Sequence, residues 1–406
     1  MITKNTGIHK ALFTYWIVMV IWQNIQTYSA RSSIDIAIKV VLIIFLGTQF
    51  FKYSGKRTIG NFSVLIVLIL CMLGTAISNW SFTAGGLVSY TFPILLFFLT
   101  FCVGNRMKIS EKEYLKYLEW IIYAVLYMAL YSFVFRTEYF LGASSITSAY
   151  GNALSSFFVS NHEYAMYLVF GIIACVLCYQ KASRSHTKKI FYLFALSIFI
   201  INLVFTFSRT AQIACIAFFV VIALLSGKRK LMIGILLTAG ILLLLYFSLP
   251  ELKSFIDRIV IRADFNSGRE FLFNQGIEIF KEGNTLQKIF GHGYINAQEI
   301  INLSTGHSSL HNAYIQVLVT NGICGLLLLF SAIIYNISSG ISFIRIDKFW
   351  GAVFSAFALM GAAFMVSNTT VYFYSPVDST ILTVFTLVIP MYVRNAILSN
   401  KGERGR

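Results

Sequence analysis

Twelve apolar runs punctuate the chain, at roughly 11–28, 34–51, 61–78, 87–104, 118–135, 163–180, 190–207, 211–226, 231–249, 313–335, 350–367 and 376–394. Each is close to the roughly 20 residues that carry a helix across a bilayer. Inside lipid every backbone N–H and C=O must be satisfied within the protein, which leaves helices for runs of this kind. The expected fold is therefore all-α and polytopic, with about twelve transmembrane helices. Composition excludes the soluble alternative. The chain is 57% hydrophobic and 12% charged, with mean hydropathy +0.75, whereas a soluble domain carries about 25% charged residues.

The net charge of +16 would suggest nucleic acid in a soluble protein. Here the Lys and Arg residues gather in every second connection and both tails: Lys4 and Lys10; Lys52, Lys56 and Arg57; Arg106, Lys108, Lys112 and Lys116; Lys181, Arg184, Lys188 and Lys189; Lys228, Arg229 and Lys230; Arg345 and Lys348; Arg394, Lys401, Arg404 and Arg406. The opposite loops hold few cations besides Arg31, Arg136 and Arg209 and those of one long loop. Positive charge inside sets the orientation, so both termini are expected in the cytoplasm. No basic stripe interleaved with stacking aromatics is present, so nucleic acid is not expected as a partner. The first apolar run lacks a small-residue cleavage site after it and reads as a retained helix. All six cysteines fall in apolar runs, including the CxxC of Cys175 and Cys178; they read as core thiols, because redox or metal work needs exposure and partners.

The connection 250–312 is far longer than the others, and long loops in compact proteins are usually functional. The organisation expected is nine spans in 1–249, an extracytoplasmic loop at 250–312, and three spans with a cytoplasmic tail in 313–406. The loop holds Arg258, Arg262, Arg269, His292, His307 and His311 against Asp257, Asp264, Glu270, Glu278, Glu282 and Glu299. Ser267 and Glu270 form a capping-box pattern. Phe273, Ile277 and Phe280 follow at helical spacing, which predicts a short amphipathic helix on the membrane-embedded body.

Ionisable residues at the membrane are functional candidates. Asp35 and Lys39, four apart in the second run, most simply form a structural pair. Arg209 in TFSRTAQ falls at the outward N-terminus of a helix that Ser208 can cap, and a guanidinium beside free helix N–H groups suits an anion. Arg269 has a similar place after Ser267. Two such arginines on one side suggest a diphosphate cradle; the alternative is that each snorkels to the interface. His311 opens the tenth run, and an imidazole there can accept a proton near neutral pH or serve a structural role. His292 and His307 sit in Gly- and Ser-rich surroundings that suggest turns. There is no Asp-x-Asp pair, P-loop, GxSxG or HExxH, and no cofactor or metal is expected.

In order along the chain, FFVSNHEYAMYL (157–168), SRTA (208–211), RADFNSGREFLFNQGIEIF (262–280), the Gly291-x-Gly293 pair and HNAYIQVLVTNGICGLLLLF (311–330) resemble the O-antigen polymerase and ligase superfamily of bacterial polysaccharide assembly. The likeness covers the C-terminal two-thirds; the first 150 residues are similar only in hydropathy. It implies a GT-C-like glycosyltransferase of the bacterial cytoplasmic membrane, acting on its outer face on a glycan carried by undecaprenyl diphosphate. The family's two arginines and loop histidine fall on Arg209, Arg269 and His311. Asn312, Tyr314, Asn161, Arg136 and Arg262 are the accompanying substrate-binding candidates. The expected activity is polymerisation of lipid-linked repeat units into O-antigen, capsular polysaccharide or exopolysaccharide, by metal-independent inverting transfer. Membrane lipid, a chain-length regulator and a flippase are the partners this implies. The alternatives are a ligase that moves the finished glycan to another acceptor, or a flippase or transporter.

Overall fold

The computed structural model describes residues 108–137, 153–158, 160–181, 185–227, 269–307, 309–366, 368, 386 and 389–404, with isolated helical positions between 37 and 48. Among the described residues the regular structure is helical throughout, and six helices are long and apolar enough to cross a membrane. They are α1 (Glu111–Phe135), α2 (Asn161–Lys181), α3 (His186–Phe205), α4 (Arg209–Ser226), α8 (Ala313–Ile344) and α9 (Lys348–Val366). Each coincides with an expected run. The runs at 11–28, 61–78, 87–104 and 231–249, most of 34–51 and most of 376–394 lie outside the described residues. So do Arg31, Asp35, Lys39, Arg262 and the Ser267 cap. The chain divides into two compact units, 112–267 with 340–360, and 1–111 with 268–339 and 361–406.

In the first of these units α2 is the hub. Fourteen of its 21 residues are buried, so it is surrounded by protein and not by lipid. Gly171 permits close packing: a Cβ there would come within 2.8 Å of Val125 and 2.9 Å of Phe199. Three buried polar side chains in this apolar body satisfy one another. Ser132 Oγ lies 3.2 Å from Tyr164 Oη, which donates to Asn202 Oδ1 at 2.8 Å. Asn202 Nδ2 closes the chain on the Ile198 carbonyl at 2.9 Å. Unpaired, each would carry a large cost away from water. Cys175, Cys178 and Cys215 are buried free thiols, in keeping with a core role.

In the other unit the long loop holds three helices among its described residues, α5 (Arg269–Glu282), α6 (Thr285–Phe290) and α7 (Tyr294–Thr305), where the sequence suggests one. The buried face of α5 is Leu272, Gly276 and Ile279, one residue out of step with the expected Phe273, Ile277 and Phe280. The cause is Gly276. A Cβ at that position would stand 2.6 Å from Ile315 and 2.7 Å from Leu310, so the helix turns its glycine, and not its largest side chains, toward the partner. A small core of Ile279, Ala297, Ile301, Leu310 and Val319 results, flanked by Ile300 and Ile315.

The tenth expected run is not one rod. Gly322, inside α8, has φ 66 and ψ −165, a conformation essentially reserved for glycine. A Cβ there would collide with the backbone of Ile289 and Gly291. The break frees the carbonyls of Val319 and Thr320, which accept from His292 N at 2.9 Å and Gly293 N at 3.0 Å. Gly291 and Gly293 take φ 87 and 77 to bring those N–H groups to bear. The Gly-His-Gly sequence is thus a turn, as its composition suggests, and it clasps the helix break. The His292 ring is buried against Gly283. Burial holds its imidazole below the ordinary value, with the Ile279 carbonyl partly offsetting the effect.

Candidate functional site

Arg209 opens α4 immediately after a tight corner, Thr206–Ser208, that follows α3. Phe207 has φ 52, a left-handed conformation that costs a residue of this type about 1–3 kcal/mol. Neighbouring contacts hold it there. Asn161 Nδ2 donates to the Thr206 carbonyl at 2.7 Å, and Leu154 N donates to Phe205 O at 3.0 Å. Ser208 stands at the N-cap position, but its hydroxyl makes no cap bond. This departs from the sequence expectation, because Ser208 Oγ is bound instead to His162 Nδ1 at 3.0 Å. A second left-handed residue, Ser156 at φ 54, braces the same region. Its hydroxyl donates to the Met128 carbonyl at 2.9 Å, and its own carbonyl accepts from Arg136 Nε at 3.3 Å. Asn161 therefore holds the backbone of the corner from which Arg209 opens α4, and Arg136 holds Ser156 in the segment whose Leu154 bonds the end of α3.

His311 is placed with equal care. It has φ 50 and lies between two locked residues. Leu310 is fully buried, and its N–H donates to Gln316 Oε1 at 3.2 Å. Asn312 caps the helix that follows: its Oδ1 accepts from the N–H groups of Tyr314 at 3.0 Å and Ile315 at 3.1 Å. Tyr314 donates its hydroxyl to the Ala362 carbonyl at 2.8 Å and stacks on Phe330. The imidazole is thus presented by a strained residue whose two neighbours cannot follow it if it relaxes. Backbone strain of this kind persists only where the surroundings over-determine it, and it clusters at functional positions.

Electrostatics ties His311 to Arg269. Burial lowers the imidazole from its ordinary value, and the Arg269 guanidinium and the nearby His307 push it the same way. Both effects favour the neutral imidazole, the form that can accept a proton, and one of them comes from the cation at the start of α5. Two residues were not legible as site residues in the sequence. The side chains of Gln316 and His162 make contacts 6 and 46 positions away. A glutamine within the apolar AYIQVLV stretch was the one available signal.

Comparison with known proteins gives one family. Residues 193–330, about a third of the chain, match the family model for O-antigen ligase, and the matched segment contains Arg209, Arg269 and His311. No curated protein matches the chain. The match supports placing this multi-pass membrane chain in the O-antigen polymerase and ligase superfamily.

Proposed function

We propose that the chain is a glycosyltransferase that polymerises lipid-linked oligosaccharide repeat units on the outer face of the bacterial cytoplasmic membrane. The donor is a glycan on undecaprenyl diphosphate and the acceptor a sugar hydroxyl on another repeat unit. The observation that carries this reading is His311, held in a left-handed conformation with its imidazole lowered by burial and by the Arg269 charge, within the matched segment. That pairing suits a reaction in which a hydroxyl loses a proton and a diphosphate departs.

In the proposed step the acceptor oxygen attacks the anomeric carbon from the face opposite the diphosphate. The new C–O bond forms as the bond to the diphosphate oxygen breaks, which inverts the anomeric centre. The hydroxyl proton passes to His311. The leaving group is already a good anion and needs no general acid. Arg269 stabilises the charge that grows on it. Arg209 has the same proposed task, on the support of its helix-start position and the resemblance. Asn161 is assigned to holding the Arg209 corner, Arg136 to holding the adjoining Ser156 segment, and Asn312 and Tyr314 to holding His311.

A second reading, transfer of a finished glycan to a different acceptor, has in its favour that the matched family is that of O-antigen ligase. Reconstitution with one defined lipid-diphosphate oligosaccharide separates the readings. A ladder of lengths marks a polymerase, and a single transfer that needs an added acceptor marks a ligase. Loss of the donor from one leaflet without any new bond would show a flippase and overturn both.

A further inference from the structure

Arg269 opens α5, whose buried residues are Leu272, Gly276 and Ile279. Gly276 follows Arg269 by seven residues, which is two helical turns less about 20°. Arg269 therefore stands on the packed side of α5, about 10 Å along the axis from the glycine.

That side rests on the segment that presents His311. A Cβ on Gly276 would stand 2.6 Å from Ile315 Cγ2 and 2.7 Å from Leu310 Cδ1. Neither methyl can swing clear. Ile315 Cγ2 is bonded to the Cβ of a branched side chain in a helix, where one rotamer is strongly preferred. Leu310 is fully buried, packed with Ile279, Ala297, Ile301 and Val319, and its N–H is held by Gln316. Between these two residues lies His311, left-handed and followed by the Asn312 cap. One rigid helix thus carries the Arg269 cation and also bears directly on both sides of the histidine turn.

The contact is too close for any other residue. A carbon on Gly276 would need the ordinary separation of about 3.5–4.0 Å, so α5 and the turn would have to part by about 1 Å. Helix propensity points the other way. Glycine is a poor choice inside a helix, and on that ground alone alanine would stabilise α5.

We propose that Gly276 is a positioning residue: by seating α5 directly on Leu310 and Ile315, it sets how closely Arg269 approaches the His311 turn. The inference rests on the roles given to Arg269 and His311 above, and its primary test needs no turnover.

That test follows the titration of His311 by NMR of isotopically labelled histidine, in nanodiscs and without substrate. The charges that act on this imidazole are those of Arg269 and His307, and His307 lies beyond α7, off α5. Gly276→Ala should raise the His311 midpoint toward that of Arg269→Gln, and should add little in the Arg269→Gln background. An unchanged midpoint in folded Gly276→Ala, or an equal rise with and without Arg269, would overturn the inference. A second variant leaves the glycine in place. Arg269→Gln with Glu270→Arg keeps a cation in the first turn but turns it about 100° round the helix. It should titrate like Arg269→Gln alone, and recovery of the wild-type midpoint would overturn the seated face as the cause. Turnover on a defined lipid-diphosphate donor then separates the two readings. A shifted midpoint should accompany a loss in kcat of about 100-fold. A shifted midpoint with unchanged kcat would leave the positioning standing and count against the proposed chemistry.

Discussion

Replacing Gln316 with methionine removes one acceptor atom from a buried position and leaves a side chain of similar length and shape. Gln316 is 6% exposed, and its Oε1 accepts the N–H of the fully buried Leu310. Without that oxygen the buried donor has no replacement from water, at a cost of about 1–3 kcal/mol. The left-handed conformation at His311 stores a comparable ~1–3 kcal/mol. The variant therefore loses as much support for the turn as the turn needs, and His311 relaxes. A displacement of about 1 Å at a reacting group typically costs about 100-fold in rate. Steady-state turnover on a defined lipid-diphosphate donor should show that loss in kcat, with KM for the donor nearly unchanged. Gln316→Glu keeps an acceptor oxygen and should recover most of the rate. An unchanged kcat in a folded Gln316→Met protein, or equal losses in the Met and Glu variants, would refute the link between Gln316 and His311.

Arg269→Gln should raise the pH at which activity fails on the acid side, because the charge that resists imidazole protonation is gone. Arg269→Lys should keep that limb in place yet lower the rate, since a point charge loses the bidentate fork; the pH profiles of the two variants measure both effects. Gly322→Ala should unfold the loop clasp, adding about 1–3 kcal/mol of backbone strain to a collision with Ile289. Faster proteolysis within 283–310, with the membrane helices intact, would register it. An impermeant thiol reagent on intact cells should label Thr285→Cys and spare Ser185→Cys, and the reverse pattern would contradict the orientation.

Much of the helical frame was legible because lipid leaves the backbone few choices: a run of about 20 apolar residues has to be a helix. α2, α4 and α9 follow the runs at 163–180, 211–226 and 350–367 closely. Ser208 was misread as a cap, since a partner 46 residues away, His162, competes for its hydroxyl. The packed face of α5 was misread because apolar spacing locates large side chains, whereas close approach selects Gly276. The apolar pattern across Gly322 is continuous, so hydropathy could not reveal that the helix breaks there. His311 and Arg269 were recognisable as residue types in a loop. That both neighbours of His311 are locked while it holds a left-handed conformation depends on Gln316 and Asn312, whose contacts exist only once the loop core forms.

The pH dependence of turnover, measured for the wild type and His311→Gln on one defined donor, tests the central claim most directly. Protonated imidazole cannot accept a proton, so the wild-type rate should fall on the acid side. Burial and Arg269 lower the imidazole value, so the neutral form persists further into acid and the fall should come below the ordinary imidazole value of about 6.5. His311→Gln should turn over about 10²–10⁴-fold more slowly and lack that limb. A near-normal rate for His311→Gln, or the same acid limb in both proteins, would remove His311 from the role of base.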